Sequence, residues 1–369
     1  MGTRTAAFGC LIALWLGAAT RSWSMLPDAV LMAPSDFSAA MEAYMKGRTD
    51  ADAFSGAVLV TDRHQPFFTS ASGWADRENR YPSRLDTRFN IASIGKSFTA
   101  AAIVQLAEQG KLSFSDTIGR HLPNYPRPAA DTITIHHLLT HRSGLPPSFI
   151  NDRFWALRDS LRRNRDYLQL FVDQPLAFEP GTMNLYSNPG YVVLGAIIES
   201  VTGEEYEEYM RRHIYLPAGM NQTDAPTQDP QKLSIGYSSF NGPPPTPRQR
   251  TEPVHGAQAS GGGYSTVRDL VQFALALQQG RLMSPASVEI LTTGKEPMAP
   301  SGPRVVAYGF IDRRANGIRI VENSGGAPGI NAALNFQPET GYIAAVLANY
   351  DPPAATEVAR TIESLLVRR

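Results

Sequence analysis

With 369 residues, 43% of them apolar, the chain can bury one large core or two lobes, which sets disorder aside. Lysine plus arginine and aspartate plus glutamate both number 34, so no net charge draws in nucleic acid or an anionic membrane, and neither is expected as a partner. Arg4, an apolar run from Ala6 to Ala19 and then polar Thr20, Arg21 and Ser22 follow the order of a secretory signal. The run falls short of the roughly 20 apolar residues that a membrane span needs. Residues 1–24 are therefore expected to be removed, with Ser22-Trp23-Ser24 a candidate cleavage site, and the rest to be exported to the periplasm or secreted without a span. The single cysteine, Cys10, lies inside the apolar run with most of it still to come, the wrong order for lipidation at a cleavage point. The mature chain is expected to carry no thiol, disulfide or cysteine-bound metal.

Asp36 is placed to cap a first helix reaching about Met45. Ser55 to Thr61 and Pro66 to Ser72 then read as two strands around a polar turn, Asp62 to Gln65. From about 90 to 235 the pattern is mostly helical: Ser93 to Gln109, Ile135 to His141, a charged stretch from Phe154 to Val172, and Gly190 to Val201 closing at Gly203. The proline-rich Gly242 to Pro247 reads as an exposed extended loop. Thr266 begins a helix with Asp269 three residues on and Gly280 at its end. Strands follow at Val306 to Asp312, Gly317 to Glu322, Ala332 to Phe336 and Tyr342 to Leu347, before an amphipathic helix from Ala354 to Leu366. Strands from both ends must meet to bury their apolar faces. The expected fold is α/β of the α+β kind: one antiparallel sheet flanked by terminal helices, with an inserted all-helical lobe. Residues 25–369 form a single catalytic domain in this reading, the sheet lobe from about 25–89 and 255–369 and the helical lobe from about 90–254.

Two short patterns carry chemistry. Ser93-Ile94-Gly95-Lys96 opens a helix, and residues three apart share a face, so the amine can reach the hydroxyl where the helix N-terminus offers N–H groups to an oxyanion. Lys96 is one of five lysines, and none of the others has a serine three positions earlier. Tyr186-Ser187-Asn188 stands just before another helix. A phenol beside an ammonium can relay a proton, the positive charge favouring phenolate, and the Asn188 amide can hold both the lysine and a substrate carbonyl.

The pair Ser93-x-x-Lys96 and Tyr186-x-Asn188, about ninety residues apart, resembles the pattern of class C β-lactamases, serine D-peptidases and related carboxylesterases of the serine β-lactamase and penicillin-binding-protein superfamily. Four blocks match in the family's order: Ile133 to Pro146, Phe178 to Gly203, Gly261 to Ala274 and Asn323 to Ile330. The resemblance implies a groove between sheet and helical lobe, Ser93 as an acylated nucleophile, Lys96 and Tyr186 sharing base and acid roles, and no cofactor. It also implies an oxyanion hole from the N–H groups of Ser93 and Gly326. The chain departs from the family at the third motif, where Asn323-Ser324-Gly325 replaces the usual Lys-Thr-Gly or its histidine form. A carboxylate without a charge partner is costly to hold. The expectation is therefore a serine hydrolase acting on neutral esters or amides as small-molecule or peptide substrates, ahead of β-lactams and D-alanyl peptides, unless Arg142 or Arg304 supplies the missing charge. The competing reading is a non-catalytic binding or sensor relative. His136, His137 and His141 lack the glutamate of a His-Glu-x-x-His site and read as packing and turn-bonding residues. No Gly-x-Ser-x-Gly elbow is present, and His255 receives no role.

Overall fold

The computed structural model describes residues 32–62, 65–223, 230–240, 247–251, 258–299 and 302–366. The expected signal segment with Cys10, most of the proline-rich loop and His255 lie outside the described residues. Helix α1 spans Pro34–Asp50, and its end is set differently from the sequence reading. Pro34, with its backbone angle already helical, starts it, and Asp36 falls inside the first turn instead of capping it. Strands β1 (Gly56–Asp62) and β2 (Gln65–Ser72) make the N-terminal hairpin. The short β3 (Phe89–Asn90) leads into α2 (Gly95–Glu108), followed by α3 (Ile135–Leu139) and α4 (Asn188–Thr202).

The charged stretch from Phe154 breaks into separate turns, Asp152–Leu157 and Asn164–Tyr167. The cause is local: Asp166 Oδ2 accepts the N–H groups of Arg162 and Arg163, each at 2.9 Å, and so starts a new helix there. Further on lie β4 (Tyr264–Ser265), which pairs with β3, and α5 (Val267–Gln278), capped by Thr266 through the N–H of Asp269.

The large sheet is completed by β5 (Glu296–Pro297), β6 (Val305–Val306), β7 (Ile311–Ala315), β8 (Ile318–Ala327), β9 (Ile330–Phe336) and β10 (Tyr342–Ala348), and α6 (Ala354–Leu366) closes the described chain. What reads in sequence as one strand, Val306 to Asp312, is a hairpin. Gly309 turns the chain with φ +71°, and a Cβ there would stand 2.8 Å from the Lys96 carbonyl oxygen, so only glycine lets this turn rest on α2.

The eight-stranded antiparallel sheet runs β2-β1-β10-β9-β8-β7-β6-β5. The N-terminal hairpin joins it through β1 against β10, with Gly56 opposite Ala348 and Val58 opposite Val346. Side chains alternate between two cores. Ala57, Leu59, Leu334, Ala345 and Leu347 share one core with residues of α2, α4 and α5, of which α5 lies against the sheet, while Val58, Val60, Ala344 and Val346 pack on Phe37, Met41, Val358 and Ile362 of the terminal helices. Burying both faces of β10 is what permits seven consecutive buried residues there. Among the described residues, no helix is long and apolar enough to cross a membrane.

Candidate active site

Ser93 sits in a single 3₁₀ turn, Ala92–Ile94, ahead of α2. Its setting is built from the backbone. Ala92 adopts a left-handed conformation, φ +43°, and the Asn90 side chain accepts its N–H at 2.9 Å. Strand β8 presses on the same turn: a Cβ at Gly325 would lie 2.3 Å from the Ile91 carbonyl oxygen and 2.9 Å from the Ser93 nitrogen. Gly325 is buried for that approach, and Gly326, one residue on, is exposed opposite Asn331.

Lys96 is the second residue of α2, about one turn beyond Ser93, and is only 3% exposed. Its Nζ donates to Asn188 Oδ1 at 2.7 Å, to the Ser260 carbonyl, and to Ser93 Oγ at 3.5 Å. It also stands 4.7 Å from the centre of the Tyr186 ring and 5.4 Å from that of Tyr191. Burial pulls the Lys96 amine down to about 7. The Asn188 amide is available because Ser187 does the capping of α4, accepting the Gly190 N–H at 3.1 Å. The Ser260 carbonyl is held in place by Thr99, whose hydroxyl donates 2.8 Å to the neighbouring Ala259 carbonyl and meets Tyr206 OH at 2.6 Å.

Tyr186 completes the group, with its OH 2.6 Å from Ser93 Oγ. Here the sequence expectation is corrected. Loss of solvent pushes the phenol up from its ordinary value, opposed by the Ser93 hydroxyl, so phenolate is disfavoured although an amine lies close by. The amine, not the phenol, is the group brought toward neutrality.

Ser93, Lys96, Tyr186, Asn323 and Ser324 line one cavity of about 150 Å³; Asn188 meets the site through Lys96. Asn323 is occupied: its Nδ2 donates 2.7 Å to Ser97 Oγ and 3.2 Å to the Ser93 carbonyl, tying β8 to the start of α2. Asn323→Leu should therefore cost roughly 1–3 kcal/mol, seen as a lower urea midpoint, because it strands these acceptors. Of the two arginines considered for the missing cation, Arg304 lines the cavity and pairs with Glu322 at 2.6 Å. Arg142 is held elsewhere, by Glu296 at 3.2 Å and by the Gly181 carbonyl.

The three histidines are engaged by protein. His136 Nδ1 meets Tyr308 OH at 2.9 Å, His137 Nδ1 accepts the Thr134 N–H at 3.3 Å, and His141 Nδ1 accepts that of Ser187 at 3.2 Å. Sequence reasoning did not reach three features: the Ala92 conformation, the Ser260 carbonyl and the contact of His141 with Tyr186. The Gly261-Gly262-Gly263 run after Ser260 was the one available signal, since three glycines together mark a backbone pressed into an unusual path.

The Beta-lactamase family model matches residues 37–368. A penicillin-binding protein of Bacillus subtilis (strain 168) is 32% identical over 300 residues, which cover 76% of this chain and 65% of that relative, so the chain spans just under two thirds of its length. Esterase EstB of Burkholderia gladioli is 33% identical over 211 residues, 53% of each chain. The crystal structure of a penicillin-binding protein from Bacillus halodurans is 32% identical, with a TM-score of 0.77 over 88% of this chain and 98% of that one. With its antiparallel sheet, its helices and a match over most of its length, the chain belongs to the Beta-lactamase family, a family of serine hydrolases.

Proposed function

We propose that the protein forms an acyl-enzyme on Ser93 and hydrolyses an ester or amide bond, with neutral esters and amides preferred over β-lactams and D-alanyl peptides. The observation that carries this reading is a buried amine brought down to about 7 and bonded to the hydroxyl that also meets a phenol at 2.6 Å. Neutral Lys96 takes the Ser93 proton, and Oγ adds to the substrate carbonyl carbon. The 3.5 Å separation is long, as such contacts often are before substrate tightens them. The N–H groups of Ser93 and Gly326 receive the oxyanion. As the tetrahedral adduct collapses, Tyr186 gives its proton to the leaving alkoxide or amine and regains one from Lys96. Water then adds to the acyl-enzyme by the same route in reverse and releases the acid, restoring Ser93.

The preference for neutral substrates rests on Asn323, whose amide is engaged with Ser97 and supplies no cation. The esterase among the relatives agrees with it. Arg304 in the cavity wall favours the second reading, a substrate with a carboxylate, yet its charge is already shared with Glu322. Turnover of a short-chain nitrophenyl ester should exceed that of a chromogenic cephalosporin. Clearly faster cephalosporin hydrolysis would reverse the ranking, and no labelling by a fluorophosphonate or a fluorescent penicillin would favour a non-catalytic binding relative. We further infer export, to the periplasm or outside the cell, from the charge-then-apolar order of residues 4–22.

A further inference from the structure

Tyr186 poses a problem of orientation. Tyr186 as a residue is 44% exposed although its hydroxyl end has lost solvent, so packing alone does not select one rotamer, yet that hydroxyl must meet Ser93 Oγ at 2.6 Å. We propose that His141 is a positioning residue that grips the chain on both sides of Tyr186 and packs at a tilt against its ring, thereby fixing the phenol on Ser93; this rests on the function proposed above.

The grip has three parts. The His141 carbonyl accepts the Leu185 N–H at 2.9 Å, and ring Nδ1 accepts the Ser187 N–H at 3.2 Å. Between these two bonds the imidazole lies 4.6 Å from the Tyr186 ring at an interplanar angle of 36°, and it also packs on Tyr191 at 5.2 Å. Reaching all three requires the backbone of His141 to turn left-handed, φ +59°, an uncommon conformation for a residue other than glycine. Such strain is kept only where the surroundings enforce it.

The ring must also stay neutral, because an imidazolium has no lone pair for the Ser187 N–H. Burial, helped by the charge of Lys96, pulls His141 down to about 3. The ring proton is thus on Nε2 and Nδ1 is free to accept across the working range. His141 lines the same cavity as Ser93, but its two hydrogen bonds go to the backbone on either side of Tyr186 and its ring packs on that phenol, so its effect passes through Tyr186.

A double-mutant cycle tests that route. On a nitrophenyl ester, His141→Ala should lower kcat about 10²-fold, as an ångström-scale displacement does, with KM changed by less than about 3-fold. In a Tyr186→Phe background the same replacement should change kcat by less than about 2-fold, since there is no hydroxyl left to misplace. His141→Asn tolerates the left-handed backbone and keeps an acceptor near Nδ1; it should recover a large part of the lost kcat. It also keeps the test open if the alanine variant melts early. A full multiplicative loss in the Tyr186→Phe background overturns the inference, as does a folded His141→Ala chain with wild-type kcat, or a folded His141→Asn chain that loses kcat about 10²-fold and recovers none of it. Ser93→Ala is the control: if that variant still turns over ester, the proposed function fails, whatever the cycle shows.

Discussion

Ser93→Ala should lower kcat/KM on a nitrophenyl ester by about 10⁴-fold or more while leaving the fold in place. The hydroxyl is the atom to which the acyl group would bond, and it is also the common partner of Tyr186 OH and Lys96 Nζ. Removing it strands neither of those groups severely. Lys96 keeps Asn188 Oδ1 and the Ser260 carbonyl, and the turn itself is held by the Asn90 side chain, which accepts the Ala92 N–H, and by the close approach of Gly325 to its backbone. A melting temperature near that of the wild type is therefore expected together with the lost rate. Intact-mass spectra after fluorophosphonate treatment check the assignment: one adduct on the wild type, none on the variant. An adduct that persisted would place the nucleophile elsewhere in the chain.

Lys96→Met should cost about 10³-fold in kcat/KM, within the range for loss of a positioned base. It should also change two pH dependences. With the amine down at about 7, the wild-type rate should rise as pH increases through that value, because the neutral form accepts the proton. The variant should lack that limb. Stability follows the same group. Between about 7 and the ordinary lysine value of 10.5 the unfolded chain binds a proton that the folded chain has released, so wild-type stability should rise with pH across this window. In Lys96→Met the rise should flatten, measured as urea midpoints from pH 7 to 10. A wild-type rate independent of pH between 5.5 and 8.5 would remove Lys96 from the role of base.

Some of this site was legible in sequence and some was not, for reasons of distance along the chain. Ser93 and Lys96 share one helix turn, so their spacing alone predicts their meeting. Tyr186 and Asn188 arrive from the entry to another helix, and only the matching of several blocks joined them to the first pair. The Ser260 carbonyl is a backbone atom with no side-chain signature, and the left-handed turn at Ala92 is equally silent, since alanine is a poor advertisement for positive φ. The direction of the Tyr186 shift was misjudged because a sequence reports a neighbour's charge but not the solvent a fold removes. The hairpin at Gly309 was read as one strand because apolar residues continue on both sides of it, and only the closeness of α2 makes the turn necessary. Arg304 and Arg142 were equal candidates in sequence; the sheet edge brings one to the cavity and Glu296 retains the other.

The place of β10 in the sheet has a consequence for how the protein is made. Strand β1, among the first parts of the described chain to leave the ribosome, has its partner among the last, and the strand carrying Asn323 reaches the hairpin only across β9 and β10. Pairings so distant are slow to close, and the N-terminal hairpin cannot be joined to the rest of the sheet during synthesis until the final strand emerges. Truncation before Tyr342 should therefore leave the edges of β1 and β9 unpaired and yield aggregate instead of a smaller folded body.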